Sequence, residues 1–293
     1  MGLRTMRWLL AGLAYAATAQ ATTIVTRWNL PGISSPLWES HPAIDPMTGD
    51  LWFVRSGKDF SGWRIMMSRC RAGHWSRPVP MPFAGTGLDA DPYFTPDGRS
   101  LYFISSRASG GHMRTALDIW RAQRDARGQW KAPERLPSPV NSDQAEWFPR
   151  SGPGGWLYFG SRRLGGFGKD DIWRARQGPR GQWVVENAGA GLNSPSAEYE
   201  FQPAPDGRWG ILATQDGLYR VVMTPRGWQR QGKYGPEVNV NGTEIGPLIS
   251  PKGESFLFSR DAGGQRSGEL FIAHRDTSID WPPQCSKGSR PRA

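Results

Sequence analysis

Five acidic residues recur along the chain, each at or near the start of an aromatic-rich repeat and three residues before a proline. They are Glu39, Asp89, Glu146, Glu200 and Glu244. Carboxylates that meet in one place can bind a polar ligand, and any two of them could act as the acid and base of a glycosidase. Because that reaction depends on the distance between the two carboxyl groups, the acids are candidates only.

Four of the five acids are followed by an arginine after 16, 18, 17 or 16 residues. These arginines are Arg55, Arg107, Arg163 and Arg260. The spacing places each acid opposite its arginine across a hairpin. The favoured interpretation is a structural ion pair that fixes the register of the hairpin. The alternative is a charged ring around a channel mouth that captures a polar ligand.

Glu200 breaks this pattern, because Ala213–Gln215 stands where the other repeats have arginine and the next loop is shortened to Asp216–Gly217. The sequence therefore predicts an unpaired carboxylate beside a ligand pocket, although decay of the repeat is the simpler explanation. Near Phe201 and Trp147 such a group would have a raised pKa or would recruit a cation or a ligand hydroxyl. We expect Glu200→Gln to leave folding almost unchanged.

Tryptophan is abundant, with 15 copies in the chain, and indole faces stack on sugar rings. Most of these side chains fit the repeat as packing residues, but three do not: Trp38, Trp63 and Trp147. The full set of ligand-binding candidates is Glu200, Glu146, Trp147, Phe201, Trp38 and Trp63.

The elements that must position these residues are repeated hairpins. The prolines that follow the acids are 50, 57, 54 and 44 residues apart: Pro42, Pro92, Pro149, Pro203 and Pro247. Each repeat is predicted to contain a short strand, a glycine turn, an aromatic strand, a third strand and a fourth. The fourth strands are predicted to begin at tryptophan: Trp75, Trp130, Trp183, Trp228 and Trp281.

Four antiparallel strands repeated in this way are typical of a β-propeller with one sheet per blade. We predict an all-β fold, a single propeller of five four-stranded blades, or six if the termini hide a degenerate copy. The segment around Trp28 closes the ring by adding a strand to the last blade, or else Trp281 supplies that strand. With 37 glycines and 25 prolines the composition agrees, and no segment has sustained helical periodicity.

Two strings in the repeats resemble a known family. PYFTPDGRSLYFISSR from Pro92 and LYFGSRRLGGFGKDDIW from Leu157 are similar to the TolB-type, WD-repeat-like propeller repeat. The resemblance extends from residue 39 to about residue 283, with close matches in repeats two and three and degenerate ones elsewhere. It implies a propeller, but no single activity, because members bind proteins, bind glycans or act as enzymes.

The N-terminal residues 1–21 have the features of a signal peptide. Arg4 and Arg7 precede the apolar stretch Trp8–Ala17, and Ala19–Ala21 has the small-x-small cleavage pattern. We predict a propeller domain over 22–286 and a disordered basic tail over 287–293. The protein is predicted to be exported, to the periplasm or the medium, without a membrane span. Removing the signal peptide lowers the formal net charge from +10 to +8. The favoured interpretation of this charge is a solvated surface with many arginines. The alternative is attraction to anionic polymers, rather than to nucleic acid, in that compartment.

Of the two cysteines, Cys70 follows the third strand of the predicted first blade, and Cys285 follows the last strand of the predicted fifth blade. Export to an oxidising compartment favours a disulfide, and these blades are neighbours only if the ring closes. The alternative is a buried Cys70 with Cys285 free in the tail. The four histidines occupy unrelated repeat positions, so we predict no metal site and no cofactor.

The favoured function is a non-catalytic binding module that recognises a protein or a glycan partner, anionic partners included, through the charged face. The alternative is a carbohydrate-active hydrolase or lyase that acts on an anionic polysaccharide. We expect a monomer.

Overall fold

The structure is a computed structural model that describes residues 23–111, 116–262, 267–275 and 281–285. The predicted signal peptide over 1–21 and the predicted tail over 287–293 lie outside these ranges. The described strands form five four-stranded antiparallel sheets, which are the five blades of a propeller, and one small two-stranded sheet. The alternative of six blades is not supported.

The blades follow one another along the chain. The first strand is β1 (Ile24–Arg27). Blade 1 contains β2 (Trp38–Ile44), β3 (Leu51–Ser56), β4 (Arg64–Ser68) and β7 (Val79–Pro80), and the small hairpin β5 (Cys70–Arg71) and β6 (His74–Trp75) extends from it. Blade 2 contains β8 (Asp89–Phe94), β9 (Ser100–Ser105), β10 (Asp118–Gln123) and β11 (Glu134–Arg135).

Blade 3 contains β12 (Glu146–Gly152), the 3₁₀ turn Pro153–Gly155, β13 (Trp156–Ser161), β14 (Asp171–Gln177) and β15 (Trp183–Asn187). Blade 4 contains β16 (Glu198–Pro203), β17 (Trp209–Thr214), β18 (Gly217–Thr224) and β19 (Gly227–Lys233). Blade 5 contains β20 (Ile245–Ile249), β21 (Ser255–Asp261) and β22 (Gly268–His274), with β1 as its fourth strand.

The ring is closed by β1, which pairs antiparallel with β22 so that Ile24 lies opposite His274. The N-terminal segment therefore supplies the last strand, and Trp281 does not. A disulfide joins Cys70 of blade 1 to Cys285, with 5.4 Å between the Cα atoms. The predicted disulfide is confirmed, and a free Cys285 is excluded.

The outer strands differ from the prediction that each begins at tryptophan. Trp183 begins β15 and Trp228 lies in β19, as expected. In blade 2, however, Trp130 makes an isolated bridge and the outer strand comes later. Trp130 contacts Trp52 and Phe94 at ring-centroid distances of 6.2 and 6.1 Å. Packing between blades thus explains this tryptophan better than strand initiation does.

The core lies between the blades, where aromatic side chains of neighbouring sheets interdigitate. Between blades 3 and 4, Phe201 is fully buried and contacts Tyr158 and Trp228 edge-to-face at 5.1 and 4.9 Å. Phe201 is therefore a packing residue, and its prediction as a ligand-binding residue is wrong. A single sheet cannot bury both faces, so each blade depends on its neighbours.

Candidate binding site on the propeller axis

Three of the predicted ion pairs are confirmed at the start of the inner strands. Nitrogen–oxygen distances are 2.7 Å for Arg55–Glu39, 2.7 Å for Arg107–Asp89 and 2.8 Å for Arg163–Glu146. The acids are buried, and burial raises the pKa of Glu39 and Glu146 against the opposing effect of their serine and arginine partners.

The same acids also anchor the loop that enters each blade. The hydroxyl of Ser35 donates to Glu39 at 2.6 Å, and that of Ser142 donates to Glu146 at 2.5 Å. Because Glu146 has its hydrogen bonds within its own blade, its geometry is that of a structural residue. Its proposed ligand-binding role is not supported by these contacts.

The predicted pair Glu244–Arg260 is not formed among the described residues. Glu244 instead accepts hydrogen bonds from the backbone N–H groups of Val240 and Asn241, at 2.7 and 3.1 Å. Arg260 donates to the carbonyl of Glu237 at 2.9 Å and packs over the ring of Phe271 at 4.1 Å. Backbone donors thus replace the arginine in blade 5.

In blade 4 the equivalent acid is Glu198 rather than Glu200. Glu198 accepts from the hydroxyl of Ser194 at 2.6 Å and lies 2.6 Å from Arg230 of β19. The inner strand of this blade has its register irregularity between Glu198 and Glu200, so Pro203 is not equivalent to the other repeat prolines. We call Glu39, Asp89, Glu146, Glu198 and Glu244 the ring acids.

The position two residues after each ring acid is occupied by a different residue type in each of the five inner strands. This axial layer consists of His41, Asp91, Phe148, Glu200 and Gly246. Four of the five have positive φ values, at 47°, 56°, 49° and 65° in the order His41, Asp91, Phe148 and Gly246. A bulge in each inner strand accompanies the layer, and bulges re-aim side chains.

Glu200 is paired, contrary to the prediction from the sequence. It forms a hydrogen-bonded ion pair with Arg150 of blade 3, and each side chain is only 1% exposed. The backbone N–H of Gly246 donates to its other oxygen at 3.2 Å. Burial raises the pKa of Glu200, whereas the charge of Arg150 lowers it. The arginine missing from its own hairpin is thus supplied by the neighbouring blade.

His41 lies between the two carboxyl groups of the layer. Its Nδ1 is 2.9 Å from the Ser40 hydroxyl and 3.9 Å from Asp91, and its Nε2 is 3.8 Å from Glu200. The imidazole stacks on Phe148 with a centroid distance of 4.9 Å. Burial, and then the charge of Arg150, lowers the pKa of His41 to about 3, so the ring is neutral at physiological pH.

Asp91 has the opposite shift. Burial, and then the charge of Glu200, raises the pKa of Asp91 to about 8, and the N–H of Phe148 donates to its carboxyl at 3.2 Å. Asp91 is therefore mainly protonated at neutral pH and can donate a hydrogen bond as well as accept one. The layer thus holds one ionised pair, one neutral imidazole and one neutral carboxyl group.

A cavity of about 210 Å³ lies above this layer, on the side of the ring acids. Its polar lining is Ser40, His41 and Asp91, and its aromatic lining is Phe60, Trp63, Trp147, Phe148 and Tyr199. We call this cavity the axial pocket. The indoles of Trp63 and Trp147 meet at a centroid distance of 6.0 Å and an angle of 80°.

Two of the three predicted stacking residues, Trp63 and Trp147, therefore lie together in the axial pocket. Trp38 does not line it: this side chain is 2% exposed and packs against Phe60 at 4.5 Å. Asp91 and Arg150 are site residues that were not predicted from the sequence. One feature of the sequence could have indicated Asp91: the position two residues after each ring acid carries a different residue type in each repeat.

Among the described residues, no group of three or more histidine, cysteine, aspartate or glutamate side chains is placed to hold a metal ion. In the same ranges, no helix has the length and apolar character needed to cross a membrane.

The fold and the pocket together define a five-bladed β-propeller with a closed polar layer on its axis. Zg3597, a family 117 glycoside hydrolase produced by the marine bacterium Zobellia galactanivorans, has a TM-score of 0.52 to this chain. It is 9% identical, and the match covers 92% of this chain and 95% of that one. No protein-family model matches the chain, and no curated protein matches it significantly in sequence.

Two further solved structures are similar at lower scores. XC5397, a gluconolactonase from Xanthomonas campestris, has a TM-score of 0.49 and 12% identity over 83% of this chain and 88% of that one. GH43B of the Bacteroides ovatus xyloglucan PUL has a TM-score of 0.49 and 16% identity over 85% of this chain and 54% of that one. Of the three, only Zg3597 exceeds a TM-score of 0.5, and at 9% identity its similarity shows the fold alone.

Proposed function

We propose that the protein is a binding module that holds one sugar ring of a glycan in the axial pocket. The observation that carries the proposal is the combination of indole and phenyl walls with a buried, uncharged polar lining. Aromatic faces pack against the C–H face of a sugar, while a few placed polar groups select its hydroxyls. The volume of about 210 Å³ is below that of pockets for drug-sized ligands, so a single ring is the expected occupant.

The polar groups of the pocket are suited to bind an uncharged part of the ligand. The neutral imidazole of His41, the protonated carboxyl of Asp91 and the hydroxyl of Ser40 all accept and donate hydrogen bonds. The charge of Glu200 is already matched by Arg150, so the layer does not require a cation. Hydroxyl groups of a sugar are the complementary partner.

The remainder of the proposal rests on the sequence. The predicted signal peptide supports a function outside the cytoplasm, in the periplasm or the medium. The formal charge of +8 after removal of residues 1–21 favours an anionic glycan chain around the bound ring.

A second candidate is the hydrolase or lyase. The observation that favours it is the raised pKa of Asp91 beside Glu200, since two carboxyl groups in different environments can serve as acid and base. Against it, Glu200 is tied to Arg150 and does not line the axial pocket. A binding module needs no free carboxylate in the pocket, so it agrees with the pairing of Glu200 and with its position outside the pocket.

Binding is tested by screening the protein on a glycan array and measuring the selected oligosaccharide by calorimetry. Trp147→Ala should weaken binding by about tenfold or more, because it removes a stacking wall. Trp183→Ala is the matched control in the same blade, on the outer strand, and should leave the affinity unchanged. No bound glycan, or equal affinities for the two variants, would contradict the proposal.

Asp91→Asn separates the two candidates. The amide keeps a donor and an acceptor but cannot transfer a proton, so the binding module keeps most of its affinity. The enzyme requires that the unmodified protein releases reducing or unsaturated ends from the selected glycan and that Asp91→Asn abolishes this release.

A further inference from the structure

A second cavity, of about 470 Å³, opens at the other end of the propeller axis. Its rim carries one proline from the inner hairpin turn of every blade: Pro46, Pro96, Pro153, Pro205 and Pro251. All five are exposed. We call this cavity the proline-rimmed cavity. Each blade contributes the same residue to one opening, so the repeat itself builds the rim.

The walls of this cavity are apolar. They include Ile44, Phe94, Leu248, Ile249 and Trp281. Among the described residues, no lysine, arginine, aspartate, glutamate or histidine lines it. These lining residues therefore offer no counter-charge to an ionised ligand, and the volume of the cavity lies in the range of small-molecule sites.

One buried polar group stands out among the lining residues. Gln202 is 4% exposed, and its Nε2 donates to the carbonyl of Pro203 at 3.0 Å. This bond fixes the amide orientation, because the opposite orientation would set two oxygens against each other. Its Oε1 has no hydrogen-bond partner among the described residues. A buried acceptor without a donor favours any ligand that brings one.

The proline-rimmed cavity is distinct from the axial pocket. Along β12, Phe148 lines the axial pocket and Ser151 lines the proline-rimmed cavity. Along β16, Tyr199 lines the axial pocket and Gln202 lines the proline-rimmed cavity. The Arg150–Glu200 pair lies between them in both strands and lines neither. An inference about this cavity therefore does not depend on the proposed glycan function.

We propose that the proline-rimmed cavity binds a small, uncharged aromatic molecule with one hydrogen-bond donor, of the class of phenols and indoles. Proline and aromatic rings pack well against each other, which is why proline-rich segments bind in aromatic grooves. The phenol O–H or indole N–H supplies the donor that the Gln202 oxygen lacks.

The ligand chemistry is tested by calorimetry with 2-naphthol and 2-methoxynaphthalene, which differ in the donor. The protein should bind 2-naphthol more tightly by about five- to tenfold, the effect of one hydrogen bond. Gln202→Met removes the acceptor at similar volume and should abolish this preference. Equal affinities in the unmodified protein, or a preference that survives Gln202→Met, would overturn the proposal.

The location is tested by two matched substitutions in exposed turns. Pro205 follows Ala204 in a turn closed by a 2.9 Å bond from Gly207, and Pro179 follows Gly178 in a turn closed by a 2.9 Å bond from Gly181. Pro205→Glu places a charge on the rim and should weaken 2-naphthol binding about tenfold. Pro179→Glu should leave it unchanged. If the two variants bind alike, the molecule lies elsewhere and the proposal fails, whether or not Gln202→Met folds.

Discussion

The ring acids and the axial layer are two residues apart in the same five strands, yet they differ in kind. The ring acids repeat: all five are carboxylates, and each holds the loop or arginine of its own blade. The axial layer does not repeat, because it contains His41, Asp91, Phe148, Glu200 and Gly246. Positions where the repeats agree build the fold, and positions where they diverge hold the candidate chemistry.

The partners of the two sets differ as well. The arginines that pair with Glu39 and Glu146 have side chains 20% and 11% exposed, so water still reaches part of each pair. The Arg150–Glu200 pair is 1% exposed on both sides and joins two blades. A ring acid therefore stabilises one blade, whereas the axial pair couples neighbouring blades.

The largest effect is expected from breaking the axial pair. Arg150→Met leaves the buried carboxyl group of Glu200 without its ion-pair partner, which costs about 3–5 kcal/mol in the free energy of unfolding. Glu200→Gln should also destabilise the protein, in contrast to the expectation from the sequence. The measurement is urea unfolding followed by tryptophan fluorescence.

Arg163→Met is the matched control, since it removes the partner of a ring acid. Its loss should be smaller than that of Arg150→Met, and the double variant Arg150→Met/Glu200→Gln should recover part of the loss. If Arg150→Met and Arg163→Met lower the free energy of unfolding equally, the axial pair contributes no more to stability than the ion pair of a ring acid.

The ring acids should behave alike. Glu39→Gln and Glu146→Gln each weaken the ion pair and the serine bond, and should cost about 2–3 kcal/mol. The two losses, measured by urea unfolding, should be similar in size. A loss confined to one blade would contradict an equivalent structural role.

The smallest effect concerns pH. The folded pKa of Asp91, about 8, lies above the unfolded value of about 3.9, so its stabilising contribution is complete at acid pH and is lost as the pH rises toward 8. The raised pKa of Glu200 acts in the same direction. The lowered pKa of His41 acts oppositely, but only below about pH 6.5.

Between pH 6.5 and 8 the free energy of unfolding should therefore fall by about 2 kcal/mol, and Asp91→Asn should flatten this slope. Asp97→Asn is the control. Asp97 is exposed in the first turn of blade 2, and its hydrogen bonds lower its pKa. This substitution should therefore leave the pH dependence of the free energy of unfolding unchanged between pH 6.5 and 8. If Asp91→Asn keeps the full slope, Asp91 is not the titrating group.

Much of the fold could be predicted from the sequence, because it depends on features that repeat. The acid–proline spacing led to five hairpins, and the acid–arginine spacing led to three correct pairs. The assignment failed in blade 4, where the strand irregularity around Tyr199 moves Glu198 into the ring and Glu200 onto the axis. A proline at the expected spacing does not reveal where a bulge falls.

The candidate site was less predictable. Arg150 reaches Glu200 across a blade boundary, 50 residues away, and that contact exists only when blades 3 and 4 have packed against each other. Trp63 and Trp147 were found because they did not fit the repeat. Phe201 and Trp38 were wrongly grouped with them, because sequence position alone does not separate a side chain at the pocket from one packed between or behind blades.

Ring closure by β1 also determines the order in which the fold can be completed. Blade 5 gains its fourth strand only when Ile24 pairs with His274, which lies 250 positions further along the chain. Blades 1 to 4 are assembled from neighbouring segments, whereas this last pairing has the longest loop to close and so the largest entropic cost. Completion of blade 5 is therefore expected to be the slow, late step of folding, during which the edge of β22 remains without its partner strand.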